Sequence, residues 1–302
     1  MNVRVEHRER LSDSQVAAVL ATAEAATEAD GVGPLNEQAL LQLRHGGEKT
    51  RSVLLYAGDD LAGYAHVDLA DSTAPSGELV VHPAFRRRGY GRRLLLAVLE
   101  ETGGRLRVWA HGGHPGAEAL AAVANFTRAR SLWRMRRPLA VELPAFELPE
   151  GVRLRAFEPG SADEEAWVAL NARTFADHPE QGAWTLEDLR LREREPWFDP
   201  AGFFLAERHD PADGTARLAG FHWTKVHDGP EPIGEVYVVG VDPAERGGGL
   251  GRALTLAGLA HLRSLGLAQV MLYVDESNTA AVRLYERLGF TRWDVDVMYQ
   301  RL

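Results

Sequence analysis

Short apolar runs of strand character alternate with stretches of helical period along the chain, and their order occurs twice. Residues 2–8 read as a strand. Ser12-Asp13-Ser14 offers an N-cap for an alanine-rich helix to about residue 29. Gly31 to Pro34 breaks that helix, and Asn36 caps a second one ending near Gly46. Strands at 51–56 and 62–68 flank a Gly58-Asp59-Asp60 turn. Then come a strand at 78–81, a glycine-rich turn, a helix at 92–101 and a strand at 106–110. A helix at 117–124 and a strand at 131–135 complete the first set.

The prolines at 144 and 149 bracket a segment without period, which reads as a linker over 143–150. A strand at 152–157 starts the second set. Helices at 162–176 and 186–194 follow, then strands at 203–207, 218–226 and 235–241. After a second glycine turn come a helix at 253–265, a strand at 269–274, a helix at 279–288 and a strand at 293–300. Strands interleaved with helices predict an α/β fold for each half. The expected domains are therefore 1–142 and 151–302.

The two glycine turns carry the most specific signal. Val241-Asp242-Pro243 ends an apolar run, and Arg246-Gly247-Gly248-Gly249-Leu250-Gly251-Arg252 leads into a helix. Such a junction converges backbone N–H groups at the positive end of a helix dipole, where a pyrophosphate fits. Val81-His82-Pro83 and Arg86-Arg87-Arg88-Gly89-Tyr90-Gly91-Arg92 repeat the spacing Pro-x-x-Arg-x-x-Gly-x-Gly, with Arg86 and Arg246 160 residues apart.

Arg-x-x-Gly-x-Gly after a strand ending in Val-x-Pro resembles the pyrophosphate loop of the GNAT acetyltransferase superfamily. Asn278-Thr279-Ala280-Ala281-Val282-Arg283-Leu284-Tyr285, closing on Gly289-Phe290, is similar to that family's late helix. The resemblance covers nearly the whole chain as two tandem units, each a mixed central sheet flanked by helices. It implies acetyl-CoA as co-substrate. The coenzyme would lie on Leu79, Val80, Val81 and Arg87 to Arg92 in the first unit. In the second it would lie on Val239, Gly240, Val241, Arg246 to Arg252 and Asn278 to Arg283.

Differences between the copies indicate which one does chemistry. Aligning Phe290 with Phe126 sets Tyr285 opposite Ala121, and Tyr273 corresponds to Trp109. Counting eight residues back from Pro243 gives Glu235, whereas eight back from Pro83 gives Pro75. Lys225 falls opposite Asp68. Acetyl transfer to an amine needs a base, because a free α-amine has a pKa of about 8. It also needs a donor for the developing oxyanion and an acid for the departing thiolate. Glu235 is the candidate base; simple alternation places it on the side of Tyr237 and Val239. Tyr285 is the candidate acid, and the Val239 N–H the oxyanion donor if the strand is irregular there, as in the family. The bland readings are a solvated edge carboxylate for Glu235 and a core aromatic for Tyr285. The first unit is read as a degenerate, non-catalytic CoA binder.

Composition narrows the partners. The net charge of −9 argues against nucleic acid or an anionic membrane, and no apolar run approaches a membrane span. A cytoplasmic monomer without a metal is expected. The absence of cysteine excludes a thiol nucleophile and a disulfide framework, which favours direct attack in a ternary complex. Only two lysines occur, Lys49 and Lys225.

For the acceptor, the tandem arrangement resembles GNAT enzymes that acetylate a small thiol-containing amine, the cysteinyl α-amine of cysteinyl-glucosaminyl-inositol. That resemblance implies acceptor contacts at Glu37, Glu180, Lys225, Glu235 and Tyr273, between the two domains. Each has a plainer reading: a helix first-turn acid, a solvated loop acid, a surface lysine, a core tyrosine. Another small-molecule acetyltransferase of amino-sugar type and a non-enzymatic acyl-CoA sensor remain as alternatives.

Overall fold

The computed structural model describes residues 2–178, 181–210, 212 and 214–302. They form two compact units. Unit 1 comprises Met1–Trp133, Asp275–Ser277 and Asp294–Leu302; unit 2 comprises Arg134–Val274 and Asn278–Trp293.

Unit 1 runs β1 (Val3–Arg8), α1 (Asp13–Asp30), α2 (Glu37–His45), β2 (Thr50–Ala57), β3 (Asp60–Asp68), β4 (Ser76–Val81), α3 (Tyr90–Glu101), β5 (Leu106–Ala110), α4 (Pro115–Val123) and the start of β6 (Thr127–Pro138). The end of the last strand of the chain, β12 (Thr291–Arg301), completes it. Its strands lie in the order β1-β2-β3-β4-β5-β12, with β12 antiparallel to β5 from Val297↔Ala110 to Arg301↔Leu106. Local chemistry sets the helix ends. Ser12 and Gln15 form a reciprocal capping box on α1, and Gly31 ends it in the left-handed conformation at φ 73°.

The apolar run in β2 serves both faces of its sheet, as period-2 alternation requires. Val53 and Leu55 pack with Leu94, Leu95, Val98 and Phe126, while Leu54 packs with Val19, Leu35, Leu43 and Tyr64. From Val53 to Ala57 the strand is therefore apolar on both faces rather than alternating.

Unit 2 runs β7 (Val152–Ala156), α5 (Asp163–Thr174), α6 (Leu186–Glu193), β8 (Phe203–His209), β9 (Ala216–His227), β10 (Ile233–Val241), α7 (Leu250–Ser264), β11 (Gln269–Asp275) and α8 (Thr279–Arg287). The end of β6 joins its sheet, in the order β6-β11-β10-β9-β8-β7. Each sequence half thus lends a strand to the sheet of the other unit. One face of this sheet is aromatic. Trp167 meets Phe203, Phe221 and Trp223 edge-on at 5.6, 5.4 and 5.7 Å, and Phe203 stacks on Trp223 at 4.5 Å. The other face buries Ala206, Ala219, Leu250 and Leu254.

Both units open a cleft between two parallel strands. In unit 1, β4 and β5 pair only at Ser76↔Arg107 and Gly77↔Val108; in unit 2, β10 and β11 pair only from Ile233↔Gln269 to Val236↔Leu272. Beyond those points the strands part. The glycine turn follows the strand on one side of each cleft, β4 or β10.

Candidate active site and coenzyme loops

The two glycine turns share their backbone. After β4 and β10, His82 and Asp242 each accept from an N–H two residues on, at Ala84 and Ala244. Gly89 (φ 80°) and Gly249 (φ 82°) then start α3 and α7, and neither helix has a side-chain cap. Ser12, Asn36 and Thr185 cap α1, α2 and α6, whereas α5, behind Ala162, is uncapped like α3 and α7; what distinguishes α3 and α7 is a left-handed glycine at the cap. Uncapped N–H groups and a helix dipole suit a pyrophosphate.

The turns differ in side chains. Glu245, beside the unit 2 loop, is gripped by Arg208 at 2.6 Å and by Arg217. The hydrogen bond from Arg208 is the main reason its carboxyl lies below the ordinary range. Arg246 is exposed and donates to the Thr174 carbonyl at 3.2 Å. Its counterpart Arg86 is instead locked in a bidentate pair with Asp30, both contacts 2.7 Å.

In unit 1 the strand cleft is a cavity of about 470 Å³. Of the residues expected to hold the coenzyme there, Leu79, Val80, Val81, Arg87, Gly89, Tyr90 and Gly91 line it, whereas Arg88 and Arg92 do not. Arg88 lies over the Phe85 ring at 5.5 Å. Ala121 also lines the cavity, at the position matching Tyr285. Behind it is a buried charge cluster that the sequence reading overlooked. His111 bridges Glu78 at 2.8 Å and Asp296 at 2.9 Å. Burial alone would lower its pKa, but the Glu78 charge and hydrogen bonds to both carboxylates outweigh that and raise it to about 10. Backbone N–H groups of Asn36 and Gly112 donate to the same carboxylates, at 2.6 and 2.9 Å.

In unit 2, Glu235 lies on a central strand and is 5% exposed, so it is not a solvated edge carboxylate. Its cross-strand neighbour is Lys225, itself buried, with Nζ 4.3 Å from the Trp197 ring and 5.2 Å from the Tyr237 ring. The surface-charge reading of Lys225 therefore falls. Arg192 lies over Trp184 at 3.7 Å and donates from Nε to the Tyr237 hydroxyl at 2.8 Å. His227, not singled out from sequence, has Nε2 2.6 Å from Glu235 Oε2.

The alternation expected for β10 does not hold. A bulge between Val236 and Val238 inserts Tyr237 as an extra residue, where pairing with β11 ends. Tyr237 and Val238 both pack toward Trp223, while Val239 packs with Leu250 and Leu254 on the opposite face. Val239 and Glu235 thus project to different sides. The bulge also moves the comparison with unit 1: Glu235 pairs with Lys225 as Ser76 pairs with Asp68, so Ser76 and not Pro75 is its counterpart.

The remaining expected positions are distributed as follows. Tyr285 on α8 is 7% exposed, edge-on to Phe290 at 5.8 Å, and burial pushes its phenol up to about 12. Asn278 caps α8 by accepting from Ala281 N–H at 3.2 Å; Thr279, Ala280 and Arg283 are exposed, and Val282 is buried. Tyr273 is 39% exposed, two residues beyond the Met271 that registers with Glu235, and so shares its face rather than a core. Glu37 is half-buried in the first turn of α2, in unit 1. Glu180 lies outside the described residues. Among those residues no cluster of His, Asp and Glu could hold a metal ion, and no helix is long and apolar enough to cross a membrane.

Uncapped glycine turns beside parting parallel strands, present twice, define a coenzyme-dependent acyl-transfer fold. The chain belongs to the GNAT acetyltransferase family. Residues 165–290 match the model described as "Acetyltransferase (GNAT) family", and residues 48–130 the one described as "Acetyltransferase (GNAT) domain". Family members use acetyl-CoA as donor. The chain is 70% identical to mycothiol acetyltransferase of Thermobispora bispora and 67% identical to that of Streptosporangium roseum, each aligned over 100% of both chains. Among solved structures, a tandem GNAT protein of the clavulanic acid biosynthesis pathway matches with a TM-score of 0.75 and 21% identity, over 99% of this chain and 98% of that one. A GCN5-related N-acetyltransferase from Sphaerobacter thermophilus matches with a TM-score of 0.68 and 27% identity, over 98% and 95%.

Proposed function

We propose that unit 2 moves acetyl from acetyl-CoA to the cysteinyl α-amine of cysteinyl-glucosaminyl-inositol, the last step of mycothiol biosynthesis. The full-length identity to mycothiol acetyltransferases carries this reading. The acceptor arrives largely as an ammonium at neutral pH. Glu235 takes one of its protons and the nitrogen attacks the thioester carbonyl, with the Val239 N–H facing the oxyanion. Tyr285 gives its proton to the leaving thiolate, and the second amine proton restores it. A phenol pushed up to about 12 keeps that proton at every working pH. With no cysteine in the chain, attack is direct, within a ternary complex.

Lys225 and Tyr273 share the Glu235 face and offer the cation and hydroxyl that a polyhydroxylated acceptor would meet. Unit 1 holds CoA in its cavity without turning it over, since Ala121 and Ser76 stand where unit 2 has Tyr285 and Glu235. The protein works as a cytoplasmic monomer. Mass spectrometry of products from acetyl-CoA and cysteinyl-glucosaminyl-inositol tests this reading. The expected product is the N-acetyl compound, and acetylation only of amino sugars lacking cysteine would reject it.

A further inference from the structure

We infer that His227 is the group through which the proton taken up by Glu235 leaves the site, an inference that rests on reading Glu235 as the base. Acetylation of an ammonium releases one net proton: RNH3⁺ and acetyl-CoA give the amide, free CoA thiol and H⁺. One amine proton ends on the thiol by way of Tyr285. The other stays on Glu235, which must lose it before the next turnover.

Glu235 has few ways to do so. It is 5% exposed, on a strand covered on both edges. Charged Lys225 across from it has donors and no acceptor, and Arg192 beside Tyr237 is a guanidinium that cannot accept. Among the described residues, one close neighbour can take a proton on one atom and release it from another. His227 Nε2 lies 2.6 Å from Glu235 Oε2, and its side chain is 36% exposed against 7% for the carboxylate. Its Nδ1 has no hydrogen-bond partner among the described residues. The ring starts as the Nδ1–H tautomer: Nε2 takes the proton from Oε2, the Nδ1 proton departs to water, and the half-exposed ring regains its starting tautomer by exchange with solvent before the next turnover. Unit 1 lacks the pair: Ala70 lies as far from its Leu-Ala-Gly as His227 does from that of unit 2, and Ser76 replaces Glu235.

The test compares His227→Gln and His227→Ala with the wild type, using acetyl-CoA and cysteinyl-glucosaminyl-inositol. Glutamine keeps an N–H donor for the carboxylate but cannot carry a proton. Both variants should lose kcat by about 10²-fold, the low end for a positioned proton carrier, with the KM for acetyl-CoA unchanged. Added imidazole should restore His227→Ala in proportion to its concentration and leave Glu235→Gln unaffected. Wild-type kcat in His227→Gln would mean that His227 only orients the carboxylate, and loss without imidazole rescue would mean a structural role; either overturns the relay. Failure of the underlying reading is separate: Glu235→Gln at wild-type rate would remove the base whatever the His227 variants do.

Discussion

The two units share a backbone and differ in what it carries. Unit 2 meets its left-handed positions with Gly247 (φ 89°) and Gly289 (φ 85°); unit 1 meets the matching positions with Arg87 (φ 62°) and Asn125 (φ 59°). These two are the non-glycine residues with positive φ among the described residues. The two units thus share the conformation without sharing the residue that makes it easy, at a cost of about 1–2 kcal/mol for an ordinary side chain. Core packing differs in a compensating way. Behind the sheet, unit 2 pairs a buried His222 with Gly258, while unit 1 pairs Ala65 with Val98. The same space is filled once from the strand and once from the helix. Chemistry has separated too: the bulge, Glu235, His227 and Tyr285 belong to unit 2, and the buried Glu78–His111–Asp296 cluster to unit 1. A shared scaffold does not imply a shared task.

The sharpest way to break this contrast is to remove the groups proposed to react. Tyr285→Phe should lower kcat by roughly 10²–10⁴-fold with little change in acetyl-CoA affinity, the usual worth of a general acid. Glu235→Gln should fall by a similar factor at pH 7 and recover partly at high pH, where the free amine is abundant. Steady-state kinetics across pH checks both, and wild-type rates would show that unit 2 works through other groups.

Packing gives the next effect. A Cβ at Gly258 would sit 2.0 Å from the His222 ring, which is fully buried and held by the Leu254 carbonyl at 2.7 Å. Gly258→Ala should therefore cost about 1–3 kcal/mol in denaturant titration. His222→Ala in the same chain, which recreates the small strand residue of unit 1, should return part of that loss.

A pH effect should single out unit 1. His111 is raised from 6.5 to about 10, so its contribution is complete below pH 6.5 and is lost as pH rises through about 10. Hydrogen exchange in β5 and at the end of β12, corrected for the intrinsic pH dependence of amide exchange, should therefore quicken between pH 7 and 10. In His111→Gln it should be faster at pH 7 and change less. Equal pH dependence in both proteins would mean the cluster carries no such charge.

The smallest expected effect concerns the strained loop. Arg87→Gly should gain less than about 1 kcal/mol, since relief of the left-handed strain is offset by the entropy of glycine. A loss of stability would mean that the arginine side chain outweighs its backbone.

Most elements were legible because periodicity and caps are local: Ser12, Asn36 and Gly31 act within a turn of where they stand. The glycine turns were legible because a Pro-x-x-Arg-x-x-Gly-x-Gly string fixes a backbone path. The bulge was not. It depends on how β10 registers against β9, and Val236-Tyr237-Val238 reads as an ordinary apolar run. That one inserted residue misplaced Val239 relative to Glu235 and shifted the count in unit 1 from Ser76 to Pro75. His227 and the Glu78–His111–Asp296 cluster were missed for a related reason. Their partners meet across strands, 8 to 185 residues apart, and no spacing advertises the pair. The strands lent between units left no trace either, because an amphipathic strand looks the same whichever sheet receives it.

In the proposed division of labour both units bind CoA and only unit 2 reacts. Gly251 and Gly91 allow a direct test. A Cβ at either would meet only ordinary contacts, Val241 at 3.5 Å and Leu120 at 3.6 Å, so the fold should tolerate a side chain that blocks the loop. The measurement is CoA stoichiometry by calorimetry, beside kcat, for Gly251→Val and Gly91→Val. The wild type should bind two CoA molecules and each variant one, with turnover abolished in Gly251→Val and kept within a few-fold in Gly91→Val. A folded Gly91→Val protein that loses turnover as completely as Gly251→Val would place the chemistry in unit 1 and contradict the account.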